Sequence, residues 1–340
     1  MSKIYLDGEY EPGRDNIRFS GFDFHNPVFP FSAVVAVLVS ALVLVMPGPA
    51  SEVLLALRNQ LMSGFDWFFS ASVSLITLLI IALSMSPMGH LRLGGASAKP
   101  QFGYVSWICM LFSAGVGIGM TFYGAAEPLA YYTGWYGTPF NVPANSVAAE
   151  NLALGATLFN WGIGPWSIYA LVGLGIGYFA MNSGLPMVPR SVLYPVFGQR
   201  TWGWPGHIVD MLAILATVFG LATSLGLGAR QAASGLSFLF GIESGLPTQI
   251  VFIILIAIVT VASVVRGLDR GIRVLSNFTM ALAGVLLGFI LFTGPTAKIF
   301  ISYGEALAQY AGAYLPLSNF IGREDTTYFH GWTIFYWAWW

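Results

Sequence analysis

The chain has 340 residues, of which 56% are hydrophobic and only 9% charged, with a net charge of −1. A soluble domain carries about 25% charged residues, so this composition cannot cover a water-facing surface and points to a polytopic membrane protein. Near-neutral charge excludes an electrostatic footprint for nucleic acid, and a single cysteine, Cys109, excludes a disulfide framework or a thiolate metal site.

The first 25 or so residues are polar and mixed in charge, and the apolar run after them is too long for the core of a cleavable signal peptide. Apolar segments long enough to span, about 20 residues each, lie near 28–48, 67–87, 103–125, 152–180, 208–238, 247–265 and 274–294, and an eighth begins near 331. The N-terminus and the connections near 88–102, 181–205 and 266–273 carry Lys3, Arg14, Arg18, Arg92, Lys99, Arg190, Arg200, Arg266, Arg270 and Arg273. The opposite connections carry only Arg58, Lys298 and Arg323, so the positive-inside rule places the N-terminus in the cytoplasm. The basic, glycine-punctuated turn 266–273 reads as a cytoplasmic turn near anionic headgroups. The stretch 296–330 is too polar to span, yet Ile299, Phe300, Ala306, Leu307 and Tyr310 recur at helical spacing. It reads as an amphipathic helix on the outer surface.

In the third span, glycine recurs at every second position: Gly115, Gly117 and Gly119. Close helix packing through small residues is one reading, but Gly117 lies on another face from the other two. A locally unwound helix offering backbone groups to a ligand is the better fit, because open backbone inside a bilayer is tolerated only against protein or a wet cavity. Glu127, next to Pro128, is either an interfacial cap or a partner within the bundle. The fourth span places Trp161, Trp166 and Tyr169 within roughly 140° of one another on a helix of 3.6 residues per turn. The intervening Gly164 and Pro165 can kink it and draw the rings closer. These rings are either belt and packing residues or the wall of a cage.

The stretch 331–340 holds four of the eleven tryptophans, Trp332, Trp337, Trp339 and Trp340. Interfacial belts need only an occasional indole, whereas a surface of ring faces suits a quaternary ammonium group held by cation–π attraction. In the fifth span, Arg230 is the one basic residue within a span, a functional hypothesis by default. Asp210, near the start of that span, reads as a first-turn dipole partner. No intramembrane His/Asp cluster or nucleophile–base pair is present, which argues against an enzyme.

Together, the stretch 331–340, the run 113–120 with Phe122, Tyr123, Gly124, Glu127 and Pro128, the trio Trp161, Trp166 and Tyr169, Phe219 and Gly220 with 224–228, and the turn 267–273 resemble the betaine/carnitine/choline transporter family. The resemblance implies an all-α, inverted five-helix repeat fold of the neurotransmitter:sodium symporter type, with twelve spans, often assembled as a homotrimer in the bacterial inner membrane. The implied layout is a cytoplasmic N-terminal segment at 1–26 and two leading helices with their loop at 27–100. The first repeat (helices 3–7) follows at 101–295, the outer amphipathic helix and loop at 296–330, and the start of helix 8 at 331–340. The second repeat is truncated.

By position, the resemblance implies substrate contacts from Trp161, Trp166, Tyr169, Trp339 and Trp340, with Phe122 as a gating ring. Choline carriers of the family have an acid where this chain has Gly119. The resemblance therefore implies a zwitterionic compatible solute, glycine betaine first and dimethylsulfoniopropionate next, imported by alternating access. It also implies a coupling ion, Na⁺, at backbone oxygens near Ser113 and Val116, and no other cofactor. A second ion site would use Thr217, although Leu221 replaces its partner hydroxyl. The alternatives are a choline or carnitine carrier that is proton-coupled or a sodium-independent exchanger, and a membrane osmosensor.

Overall fold

The computed structural model describes residues 16–340, apart from the side chains of Ala114, Val116, Ile118, Met120 and Thr121. Residues 1–15 of the expected cytoplasmic segment, with Lys3 and Arg14, therefore lie outside the described residues. The described chain opens with an antiparallel hairpin, β1 (Ile17–Phe19) and β2 (Phe22–Phe24), which pairs Ile17 with Phe24.

The remaining regular elements among the described residues are helical. α1 (Val28–Val45), α2 (Pro47–Gly64) and α3 (Asp66–Met85) precede α4 (Tyr104–Ile118). A widened π turn (Gly119–Tyr123) joins α4 to α5 (Gly124–Thr133). α6 (Val147–Trp161) and α7 (Ile163–Met181) follow, then the single turn α8 (Tyr194–Phe197). The long α9 (Trp204–Phe240), α10 (Leu246–Val265), α11 (Arg273–Thr293) and α12 (Thr296–Ser318) come next. The chain closes with α13 (Thr326–Tyr328), a π turn (Phe329–Ile334) and α14 (Phe335–Trp339).

Six helical stretches among the described residues are long and apolar enough to cross a membrane. They correspond to the first, second and fourth to seventh spans expected from hydropathy. The third span is divided at the glycine run, where α4 leaves helical geometry at Gly117. The long helices keep their apolar side chains outward, and α10 buries none of its residues. That exterior matches a hydrocarbon solvent, where leucine and valine need no protein cover.

α2 was not expected as a helix, because Glu52 and Arg58 make it too polar to span. It has proline in its first turn, where the missing N–H costs nothing, and lays Arg58 4.8 Å from the Phe335 ring centroid. Asp210 also differs from expectation. It lies beyond the first turn of α9 and forms a buried ion pair with Arg190 at 2.9 Å, while accepting the Arg190 backbone N–H at 3.1 Å. At this end of the bundle Asn182 accepts from Gly94 N–H and donates to Arg92 O, so the connections 88–102 and 181–205 meet.

The opposite end is tied by a second buried pair. Arg323 grips both oxygens of Asp325 at 2.7 and 2.8 Å and donates to the carbonyls of Pro316, Leu317 and Asn319 that end α12. Asp325 accepts the Phe140 N–H at 2.7 Å and holds that residue at φ +56°, a left-handed value that a bulky side chain rarely adopts. The aromatic core lies just beneath, built on Tyr131, Phe159, Tyr328, Phe329, Trp332 and Trp337. Removing one partner of a buried pair leaves an uncompensated charge, at a cost of about 3–5 kcal/mol. Asp325→Leu should therefore lower the thermal unfolding midpoint in detergent by several degrees. An unchanged midpoint would contradict the role given to this pair.

Candidate functional site

The three glycines of the run, Gly115 and Gly117 in α4 and Gly119 at the start of the π turn, do different things. Gly117 leaves the helical region at φ −48°, ψ −108°, and a side-chain carbon there would meet nothing within 4 Å. A side-chain carbon at Gly115 would stand 2.7 Å from the Trp166 ring, and one at Gly119 would stand 2.6 Å from the Trp161 ring. The two readings of the glycine run therefore apply to different residues. Gly115 and Gly119 admit indoles at close range, and Gly117 interrupts the ladder between them.

A second break separates α6 from α7 at Gly162, whose ψ is −131°. A side-chain carbon there would collide with Leu158 O at 2.4 Å. The freed Ile163 N–H is satisfied by the Tyr310 hydroxyl of α12 at 3.2 Å, and Pro165 falls in the first turn of α7, where proline is tolerated. Trp161 thus ends one helix while Trp166 and Tyr169 start the next.

The breaks open onto a cavity of about 750 Å³. Its wall includes Gly115, Gly117 and Gly119 of the interrupted helix, Tyr123, Trp161, Tyr169, and Phe335, Tyr336, Trp339 and Trp340. Trp161 meets Trp340 at 5.3 Å and Tyr336 at 5.4 Å, and Tyr169 meets Trp340 at 5.5 Å, all edge to face, while Tyr123 lies tilted against Trp161 at 5.8 Å. Edge-to-face contacts are the favoured geometry for ring quadrupoles. No charged side chain is among the described residues that line this space.

Behind the rings sits Glu127, in the first turn of α5 and wholly buried. The Trp161 indole N–H donates to Oε2 at 2.5 Å, and the Tyr336 hydroxyl donates to the same oxygen at 2.8 Å. The Tyr131 hydroxyl donates to Oε1, which Asn160 Nδ2 also approaches at 3.4 Å while donating to Tyr131 Oη at 2.7 Å. Of the two roles open to this acid, it takes the partnership within the bundle.

The betaine/carnitine/choline transporter family profile matches residues 27–340. This chain belongs to that family. Glycine betaine transporter 1 of Vibrio parahaemolyticus is 49% identical over 343 positions, covering 100% of this chain and 65% of the relative. A glycine betaine/proline/choline/ectoine transporter of the same organism is 50% identical, covering 98% of this chain and 59% of the relative. A glycine betaine/proline/choline transporter, also from that organism, is 42% identical, with 98% and 64% coverage. The chain thus spans 59–65% of the length of these relatives. Family membership and six membrane-length helices make this a multi-pass membrane protein.

Of the residues singled out from sequence, Gly119, Trp161, Tyr169, Trp339 and Trp340 line the cavity. Trp166, an exposed ring packed against Gly115, Phe112 and Tyr169, is not among the lining residues, and Phe122 packs on Tyr123 outside the lining. Tyr123, Phe335 and Tyr336 also line the cavity, and each sits inside a ring-rich stretch of the sequence, the one signal that points to them.

Ser113 lines the cavity and donates to Ser276 Oγ of α11 at 2.9 Å, beside a smaller hydroxyl-rich space that includes Thr260, Ser263 and Thr279. The Val116 side chain is outside the described residues. Thr217 does not share a space with Ser113. It donates to Ala213 O and faces a separate pocket with His25, Arg190 and Asp210, whereas Leu221, Thr223 and Ser224 of the same helix reach the main cavity. Arg230 is exposed, and among the described residues it forms no ion pair.

A buried acceptor that loses a donor costs about 1–3 kcal/mol. Tyr336→Phe, which keeps the ring and removes one donor to Glu127, should lower stability by that amount in denaturant titration of the purified protein. A stability equal to that of the unaltered chain would count against the network.

Proposed function

We propose that this chain forms part of a secondary transporter that imports a zwitterionic quaternary-ammonium solute, glycine betaine first and dimethylsulfoniopropionate next, by alternating access. The observation that carries the reading is the ring-walled cavity, free of lining charge, beside a helix interrupted at Gly117. A trimethylammonium group donates no hydrogen bond and is attracted to ring faces, each desolvated contact contributing on the order of 2 kcal/mol. A zwitterion brings its own carboxylate and tolerates a neutral wall better than a bare cation does. The names of the three relatives described above each include glycine betaine and support the same class.

Coupling to Na⁺ is part of the proposal. Its support is the interruption one turn beyond Ser113, since unwound helices free carbonyl oxygens to coordinate cations. The bacterial inner membrane, a cytoplasmic N-terminus and a homotrimer complete the proposal and rest on the family resemblance and the basic residues on one side of the spans. A choline carrier is the second reading, favoured by the choline named for two of the relatives.

Uptake of labelled glycine betaine, choline and carnitine by the full-length protein in carrier-deficient cells tests this, with Na⁺ present or replaced by K⁺. Betaine uptake should exceed choline uptake and collapse in K⁺. Choline in excess overturns the zwitterion preference, and uptake indifferent to K⁺ replacement overturns the sodium coupling. Tyr169→Ala and Trp340→Ala should each raise the betaine KM about tenfold or more, the loss of roughly one ring contact, while membrane insertion is retained. A KM unchanged in both variants would remove the cage.

A further inference from the structure

Glu127 has no role in the proposed transport reading, and its surroundings are unusual. It is a wholly buried carboxylate, and its described partners are neutral: two tyrosine hydroxyls, an asparagine amide and an indole N–H. Among the described residues no lysine, arginine or histidine pairs with it, and no metal-holding cluster of acids and histidines is present. Buried charges are ordinarily paired. Two of its four donors, Trp161 and Tyr336, are themselves walls of the cavity.

We infer that Glu127 is a positioning and specificity-determining residue, which turns Trp161 and Tyr336 into an electron-rich wall selective for a cationic head group. The inference rests on the transport reading of this cavity. Indole nitrogen can only donate, so the bond to Oε2 fixes which edge of Trp161 faces the carboxylate. The remainder of the ring then faces the cavity. The Tyr336 hydroxyl, bound to the same oxygen, locks the adjacent ring relative to Trp161.

A charge-assisted hydrogen bond of this kind is stronger than a neutral one, and in a low-dielectric surrounding, linked donors and acceptors polarise one another. Electron density is pushed toward the ring system, which deepens the negative face that attracts a cation. The ionised carboxylate also acts through space from the buried edge of the ring at low dielectric. The neutral lining and the preference for an onium head are therefore compatible. In its ionised form Glu127 places a negative charge at the buried edge of the Trp161 ring, where it attracts trimethylammonium without offering an acceptor to a hydrogen-bonding amine.

The test compares two ligands that differ only at the head group. Glycine betaine and 3,3-dimethylbutanoate share a carboxylate and a nearly identical shape, but the second replaces trimethylammonium with a tert-butyl group. Binding of both to the purified full-length protein is measured by calorimetry for the unaltered protein, for Glu127→Gln and for Trp161→Phe. Glu127→Gln should raise the betaine Kd about tenfold or more and leave the isostere Kd within about twofold. Trp161→Phe, which keeps a ring but loses the donor, should show the same selectivity with a smaller betaine loss.

Retained isostere binding is also the proof that each variant is folded. Equal weakening of both ligands, or no weakening of betaine, overturns the inference while leaving the cage in place. If Glu127→Gln proves unfolded, the Trp161→Phe pair of affinities decides on the same terms. An unaltered protein that binds neither ligand overturns both the transport reading and the inference with it.

Discussion

One buried carboxylate organises this molecule. Glu127 receives donors from its own helix (Tyr131), from the end of α6 (Asn160 and Trp161) and from the C-terminal helical segment (Tyr336). Three elements distant in sequence are thereby fixed at one point, and the cavity's ring wall is assembled around it. A half-satisfied polar cluster in such a place would cost more than an apolar core.

The helix breaks make this convergence geometrically possible. An unbroken α4 would carry Gly119 and Glu127 along one straight axis, and an unbroken α6–α7 would separate Trp161 from Trp166 by a regular turn and a half. The interruptions at Gly117 and Gly162 instead turn the chain so that indoles settle where side chains are missing. Glycine has a double use here. It lowers the cost of leaving the helix, and it leaves room for a large ring beside the backbone. The amphipathic α12 contributes as well, since the Tyr310 hydroxyl satisfies the N–H exposed by the second break.

Much of this was readable from sequence, and the unreadable parts share one cause. Span positions follow from hydropathy, because the bilayer imposes length and polarity on any crossing segment. The interruption near Gly117 follows from glycine spacing, and the aromatic character of the site from the excess of rings in two short stretches. Which rings face the cavity does not follow. Phe122 and Tyr123 are adjacent and similar, and only the π turn at 119–123 decides that Tyr123 faces inward. Trp166 packs over Gly115 and stays out of the lining because the missing side chain lets it approach the backbone there. The role of Glu127 was undecidable for the same reason, since its partners lie about 30 and 200 residues away. Helix α2 was hidden because an amphipathic helix of mixed charge carries no span signal, and its Arg58 finds Phe335 only in three dimensions.

Every functional role proposed for these residues depends on an onium head group seated among Trp161, Tyr169, Tyr336 and Trp340. Arsenobetaine, in which arsenic replaces the ammonium nitrogen, marks that position by anomalous scattering. Crystals of the full-length protein grown with it should show a single strong arsenic peak inside this ring-walled cavity, within van der Waals reach of the Trp161 face. An arsenic peak elsewhere in the molecule, with this cavity free of ligand density, would contradict the account.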